Sequence, residues 1–108
     1  MSHIRAQYQD NTLILFPVGK INERQILKIQ RFVSHISLAQ INLLIIDGIQ
    51  IRYDNPFSLA YLFQYIEDIH TKYPQTNIVL KKMPPDFLAA LKLSGRNGEW
   101  TIEGAFWE

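Results

Sequence analysis

The sequence has no cysteine. Disulfides, thiolate nucleophiles and cysteine-held metals are thereby excluded, and the absence agrees with a cytosolic protein. Neither sign of charge is in excess: 11 basic residues stand against 10 acidic ones, for a net charge of +1. Nucleic-acid recognition needs a clustered basic face, and a balance this even advertises none. Apolar runs are short, far below the ~18 residues a membrane span requires. The opening MSHIRAQYQDN is polar and has no signal-peptide apolar region. Together these features predict a cytoplasmic protein with no membrane insertion. The histidines, His3, His35 and His70, have no ligand spacing, so no metal site is expected. No Ser-His-Asp order and no glycine-rich phosphate loop stands out, so no catalytic residue is assigned and no cofactor is implied.

What is present is one domain's worth of chain. The 108 residues, 47% of them hydrophobic, suffice to bury a core without staples, and residues 1–108 read as a single domain. No repeat, linker or low-complexity stretch interrupts them. Residues 3–8 alternate weakly, Asp10-Asn11 marks a turn and residues 12–18 read as a strand, which makes a hairpin. Pro17 argues that this second strand lies at an edge or is ending, and Gly19 breaks the pattern. Asn22 is a helix cap, with Glu23 favourable in the first turn. Ile26, Ile29, Val33 and Ile36 then repeat at helical spacing, which predicts a helix over 23–36.

The centre of the chain is NLLIIDGIQIRYDNPFSLAYLFQY, residues 42–65. It runs from a strand, apolar on both faces and ending at Asp47, through an irregular crossing, residues 48–54, that is a loop or a loop containing a short extended piece at Ile49 and Ile51, to a helix start at Asn55-Pro56. Leu59, Leu62, Phe63, Ile66 and Ile69 form that helix's buried stripe, with Tyr61, Tyr65 and Asp68 on another side. Residues 78–80 are a short strand. Residues 85–95 read as a helix with Leu88 and Leu91 inward and Gly95 as its stop, and residues 100–102 as a last strand. Strands and helices alternate, which predicts an α/β fold with parallel strands joined by right-handed crossovers.

These residues carry a family resemblance. LLIIDGIQIRYDNPFSLAYL resembles the central segment of STAS domains, the fold of bacterial anti-sigma factor antagonists. In that family a strand ends in an aspartate, and an Asp-Ser-Ser-Gly-Leu-like motif opens the next helix. Asp47 matches the strand-end aspartate. Asn55 falls on the motif's aspartate, Pro56 and Phe57 on its two hydroxyl positions, Ser58 on the glycine and Leu59 on the leucine. TLILFPVGKINERQ is similar to the family's early strand and first-helix entry, and NIVLKKMPPDFLAALKLSG to its late strand, loop and helix. The resemblance spans Thr12 to about Ile102 and implies a STAS-like mixed, mostly parallel sheet of about four to five strands with helices packed against it.

Its functional implication is a non-catalytic interaction module. The partner surface would comprise Arg52, Tyr53, Asp54, Asn55, Pro56, Phe57, Ser58 and Tyr61. Family antagonists are switched off by phosphorylation at the second hydroxyl position. Phe57 has no hydroxyl, so that switch is impossible here. Ser58, next along, is either a phosphorylation site or a residue satisfying a first-turn backbone group. Phe57 is either an exposed anchor for a partner or packed inward. Asp47 reads as a structural carboxylate accepting loop N–H bonds. By resemblance the partner is an anti-sigma factor kinase-like protein or, alternatively, a component of a lipid-transporting ABC complex. A nucleotide- or small-anion-binding domain is the alternative of another class. Trp100 reads as core. The apolar tail with Phe106 and Trp107 offers a partner contact, and a homodimer built by that tail is a further option.

Overall fold

In the computed structural model, residues 3–54, 58–87, 89 and 101–103 are described. They form β1 (His3–Gln9), β2 (Thr12–Lys20), α1 (Glu23–Ser34), a 3-10 turn (Leu38–Gln40), β3 (Leu43–Asp47), β4 (Ile51–Arg52), α2 (Leu59–Lys72), β5 (Asn77–Lys81) and β6 (Thr101–Glu103). Residues 85–87 add a helical turn. The sheet order is β1-β2-β3-β5-β6, with the short β4 paired to the end of β2. Among the described strands, only the β1–β2 pair is antiparallel. This is the mixed, mostly parallel α/β sheet that the alternation of elements predicts.

Local chemistry explains the elements. Asp10 and Asn11 carry φ values of 53° and 62° between paired Gln9 and Thr12. Two positive φ angles in a two-residue loop match the right-handed twist of the flanking strands, and Asp and Asn tolerate them best after glycine. Asn22 caps α1 as expected, its Oδ1 accepting from the Gln25 N–H at 2.8 Å. The helix stops at Ser34, so Ile36 packs against the core from beyond its end.

The period of two in the strands builds the core. Leu13 and Leu15 of β2, Leu44 and Ile46 of β3, and Ile78 and Leu80 of β5 are aligned by register and buried. Against them lie Ile26, Ile29 and Val33 of α1 and Leu59, Leu62, Ile66 and Ile69 of α2. Among the side chains of β3, Leu43 and Ile45 are only half-buried. The strand is therefore fully covered on one face, where an apolar run alone predicts two.

Four readings are corrected. β2 does not stop at Gly19 but runs through it to Lys20, with Gly19 at φ 102°, a backbone conformation that glycine reaches without steric cost. β2 is also not an edge strand. Pro17 falls between the ladder of residues 12–15 with β3 and that of residues 19–20 with β4, where no strand pairs on that side. Tyr65 is not on an outer side of α2 but 6% exposed. Ser58 precedes α2 in helical backbone but its side chain makes no capping hydrogen bond, so it does not satisfy the first turn.

Burial pushes the Tyr65 phenol well above its ordinary value of 10.0, with the charge of Tyr73 adding to the shift. The folded state thus holds this proton more tightly than the unfolded chain. Its stabilising contribution is complete below pH ~10 and is lost as the pH climbs towards the raised value. Urea midpoints taken from pH 9 to 11.5 should fall steadily, and Tyr65→Phe should flatten the part of that slope due to this residue. An identical slope in the variant would show that ionisation elsewhere controls alkaline unfolding.

Candidate functional site

β3 ends at Asp47, and the crossing from it towards α2 returns through β4 to pair with the end of β2. Asp47 ends β3, and its Oδ1 accepts from the Ile49 N–H at 3.0 Å. It is thus the loop-ordering carboxylate that its position suggests. Gly48 is buried, and its N–H donates to the Lys81 carbonyl at 2.8 Å. The chain then turns back, and β4 adds to β2 through Gly19 N–H to Gln50 O at 3.2 Å and Ile21 N–H to Arg52 O at 2.8 Å. A segment that reads as loop is therefore fastened by backbone to the sheet's own strand.

The side chains continue the fastening. Tyr53 is half-buried, and its hydroxyl donates to Asp86 Oδ2 at 2.9 Å, which ties the crossing to the helical turn at 85–87. That hydrogen bond raises the Tyr53 phenol above its ordinary value, with burial and the Asp86 charge reinforcing it. Asp54 pairs with Lys20 Nζ at 3.1 Å, with both side chains largely exposed, so the pair adds little stability. Arg52 is exposed. Asn55, Pro56 and Phe57 lie outside the described residues, as do Leu88, Leu91, Gly95, Trp100, Phe106 and Trp107.

Tyr61 is 44% exposed on α2. It faces α1 across a small groove of about 160 Å³, whose lining includes Leu27, Ile26 and Tyr65. Leu27 is itself 48% exposed. Two large apolar side chains thus stand half in water on either side of a seam between helices. Arg52, Tyr53, Asp54 and Tyr61 occupy this end of the domain, but the contribution of α1 is missing from the sequence reading. Leu27 lies one position off the Ile26–Ile29–Val33 stripe, and that offset was its only signal.

On the other flank of α1 is a solvent-open cavity of about 1070 Å³, lined by Lys20, Arg24, Lys28 and Arg52 among neutral residues. Among the described residues, no group of three or more His, Asp or Glu side chains could hold a metal ion. No described helix is long and apolar enough to cross a membrane.

No protein-family model matches the chain, and no curated protein sequence matches it. Solved structures do. A Thermotoga maritima protein assigned as an anti-sigma factor antagonist superposes with a TM-score of 0.69 at 16% identity, over 96% of this chain and 88% of that one. The anti-sigma factor antagonist SpoIIAA, in its unphosphorylated form, gives 0.65 at 10% identity over 97% and 90%. A chain from the stressosome, a signal integration and transduction hub, gives 0.60 at 16% identity over 95% and 90%. At such identities the likeness is one of fold, and the fold is STAS-like.

Proposed function

We propose that the chain is a single STAS-like domain acting as a non-catalytic protein-interaction module. Its docking surface comprises Arg52, Tyr53, Asp54, Asn55, Pro56, Phe57, Ser58 and Tyr61. The observation that carries this reading is the pair of half-exposed side chains, Tyr61 and Leu27, flanking the α1–α2 seam near a crossing held by the β4 backbone pairing and the Tyr53–Asp86 hydrogen bond. Aromatic residues concentrate binding energy at interfaces, and a surface ordered beforehand loses less entropy on docking. The fold shared with anti-sigma factor antagonists supports a regulatory protein partner in the cytoplasm, of the anti-sigma factor kinase-like type. An ABC-transporter component is the alternative partner. With Phe57 at the family's switch position, phosphate transfer there cannot release it.

The test is affinity capture with the wild-type chain and with Tyr61→Asp, followed by identification of the captured protein. Tyr61 is exposed enough for the variant to fold, which circular dichroism verifies. The wild type should retain an ATP-binding kinase-like regulator, and the variant should bind it at least ~10-fold more weakly. Equal retention by both would remove Tyr61 from the interface.

A further inference from the structure

The near-neutral total charge conceals a local concentration of one sign. Of 11 basic residues in the chain, Lys20, Arg24, Lys28 and Arg52 line one cavity, and none of the described residues of its lining is a carboxylate. Two walls contribute. Arg24 and Lys28 are one turn apart on α1, and Lys20 and Arg52 are register partners on β2 and β4. Arg31 continues the same helical face a further turn along. This arrangement works against the helix. Like charges at this spacing repel, and a cation in the first turn, where Arg24 sits, opposes the helix dipole. Glu23, the acidic residue of that turn, lines the Leu27–Tyr61 groove on the opposite flank. Charge is therefore sorted across α1, with the basic side turned to the cavity.

We propose that this basic cavity receives an acidic segment of the partner protein, a short run of Asp and Glu side chains. The proposal rests on the interaction-module reading and gives the partner a chemistry. Three observations favour this occupant. The cations are exposed and stand on opposite walls of an open cavity, which suits several carboxylates spaced along an extended segment. Lys20 already holds a carboxylate at 3.1 Å, that of Asp54, in an exposed pair that an incoming acid can exchange. Among the described residues the lining contains no aromatic side chain, so these residues provide no stacking platform for the bases of a single-stranded nucleic acid. The cavity and the Tyr61–Leu27 seam lie on the two flanks of the same first turns of α1, so one partner can engage both.

The experiment uses a fluorescein-labelled deca-glutamate peptide and fluorescence anisotropy at low and near-physiological salt. Wild type should bind at low salt and weaken as salt rises. Arg24→Glu/Lys28→Glu should bind about 10-fold more weakly or worse. Arg5→Glu/Lys82→Glu, the same charge change placed elsewhere, should stay within about twofold of wild type on the same argument. Circular dichroism establishes that all three fold. Absence of wild-type binding, or equal loss in both double variants, would overturn the proposal. So would preferential binding of inorganic triphosphate, which would make this a small-anion site, or of deca-thymidylate, which would make it a nucleic-acid site. The peptide reports on the cavity alone, whereas capture with Tyr61→Asp reports on the neighbouring seam, so either reading can fail without the other.

Discussion

Phe87→Ala is expected to destabilise the domain by about 3–5 kcal/mol, the range for deleting a buried aromatic side chain. Phe87 is 0% exposed, and its ring lies 6.1 Å from that of Phe63 at 51°. It belongs to the helical turn at 85–87, whose start is tied by the Phe87 N–H to the Pro84 carbonyl at 3.1 Å. It belongs to the same buried cluster as Leu59, Leu62 and Met83, and in a densely packed core collapse into the void is restricted. Domains of this size are stable by only about 5–15 kcal/mol, so the variant should be marginal. Urea titration should show a large fall in midpoint with little change in slope. The consequence for function follows from the next residue back. Asp86 is the acceptor for Tyr53, so loosening this turn should also free the crossing between β4 and α2. A loss below ~1 kcal/mol would show that the turn is not part of the cooperative core.

Gly48→Ala should also be destabilising, by less and for the opposite reason. A β-carbon at Gly48 would stand 2.9 Å from Met83 Sδ, 3.1 Å from the Lys82 carbonyl oxygen and 3.1 Å from Met83 Cα. The thioether can move aside, but two of the three neighbours are backbone. Overpacking of this kind costs about 1–3 kcal/mol. The chain would have to shift where β3 delivers it to β4, so weaker partner binding should accompany the lower stability. Adding Met83→Ala should recover little of the lost midpoint, because the backbone contacts persist. Full recovery in the double variant would assign the clash to the sulfur alone.

The fold was legible where one physical rule governed. Asn22 capped its helix, Asp10-Asn11 turned the hairpin, and Ile26, Ile29, Val33, Leu59, Leu62 and Ile66 followed period 3.6 into the core. Misreadings arose where tertiary pairing overrode a local rule. Pro17 and Gly19 both argue for a strand end, yet β2 continues because β4 returns to pair with its last two residues. The alternation of Ile49 and Ile51 allows a short extended piece in the crossing, but no local pattern announces that its partner lies some thirty positions earlier. Tyr65 has a hydroxyl and sits beside polar residues, but it faces the α1–α2 seam and is buried by it. The candidate site was legible on β4 and α2, where the resemblance directs attention to Arg52 and Tyr61. The share of α1 was not. Arg24 and Lys28 look like an ordinary solvated face until β4 is laid opposite them.

The single antiparallel pair also bears on how the chain reaches this state. A hairpin closed by Asp10-Asn11 joins neighbouring residues and can zip within microseconds. The parallel β2–β3 and β3–β5 ladders join residues separated by α1 and α2, and each must wait for a crossover to condense. Folding should therefore begin at the amino-terminal hairpin, with the return of residues 51–52 to β2 among the later steps. The binding surface would then be the last region to gain amide protection and the first to open by local fluctuation.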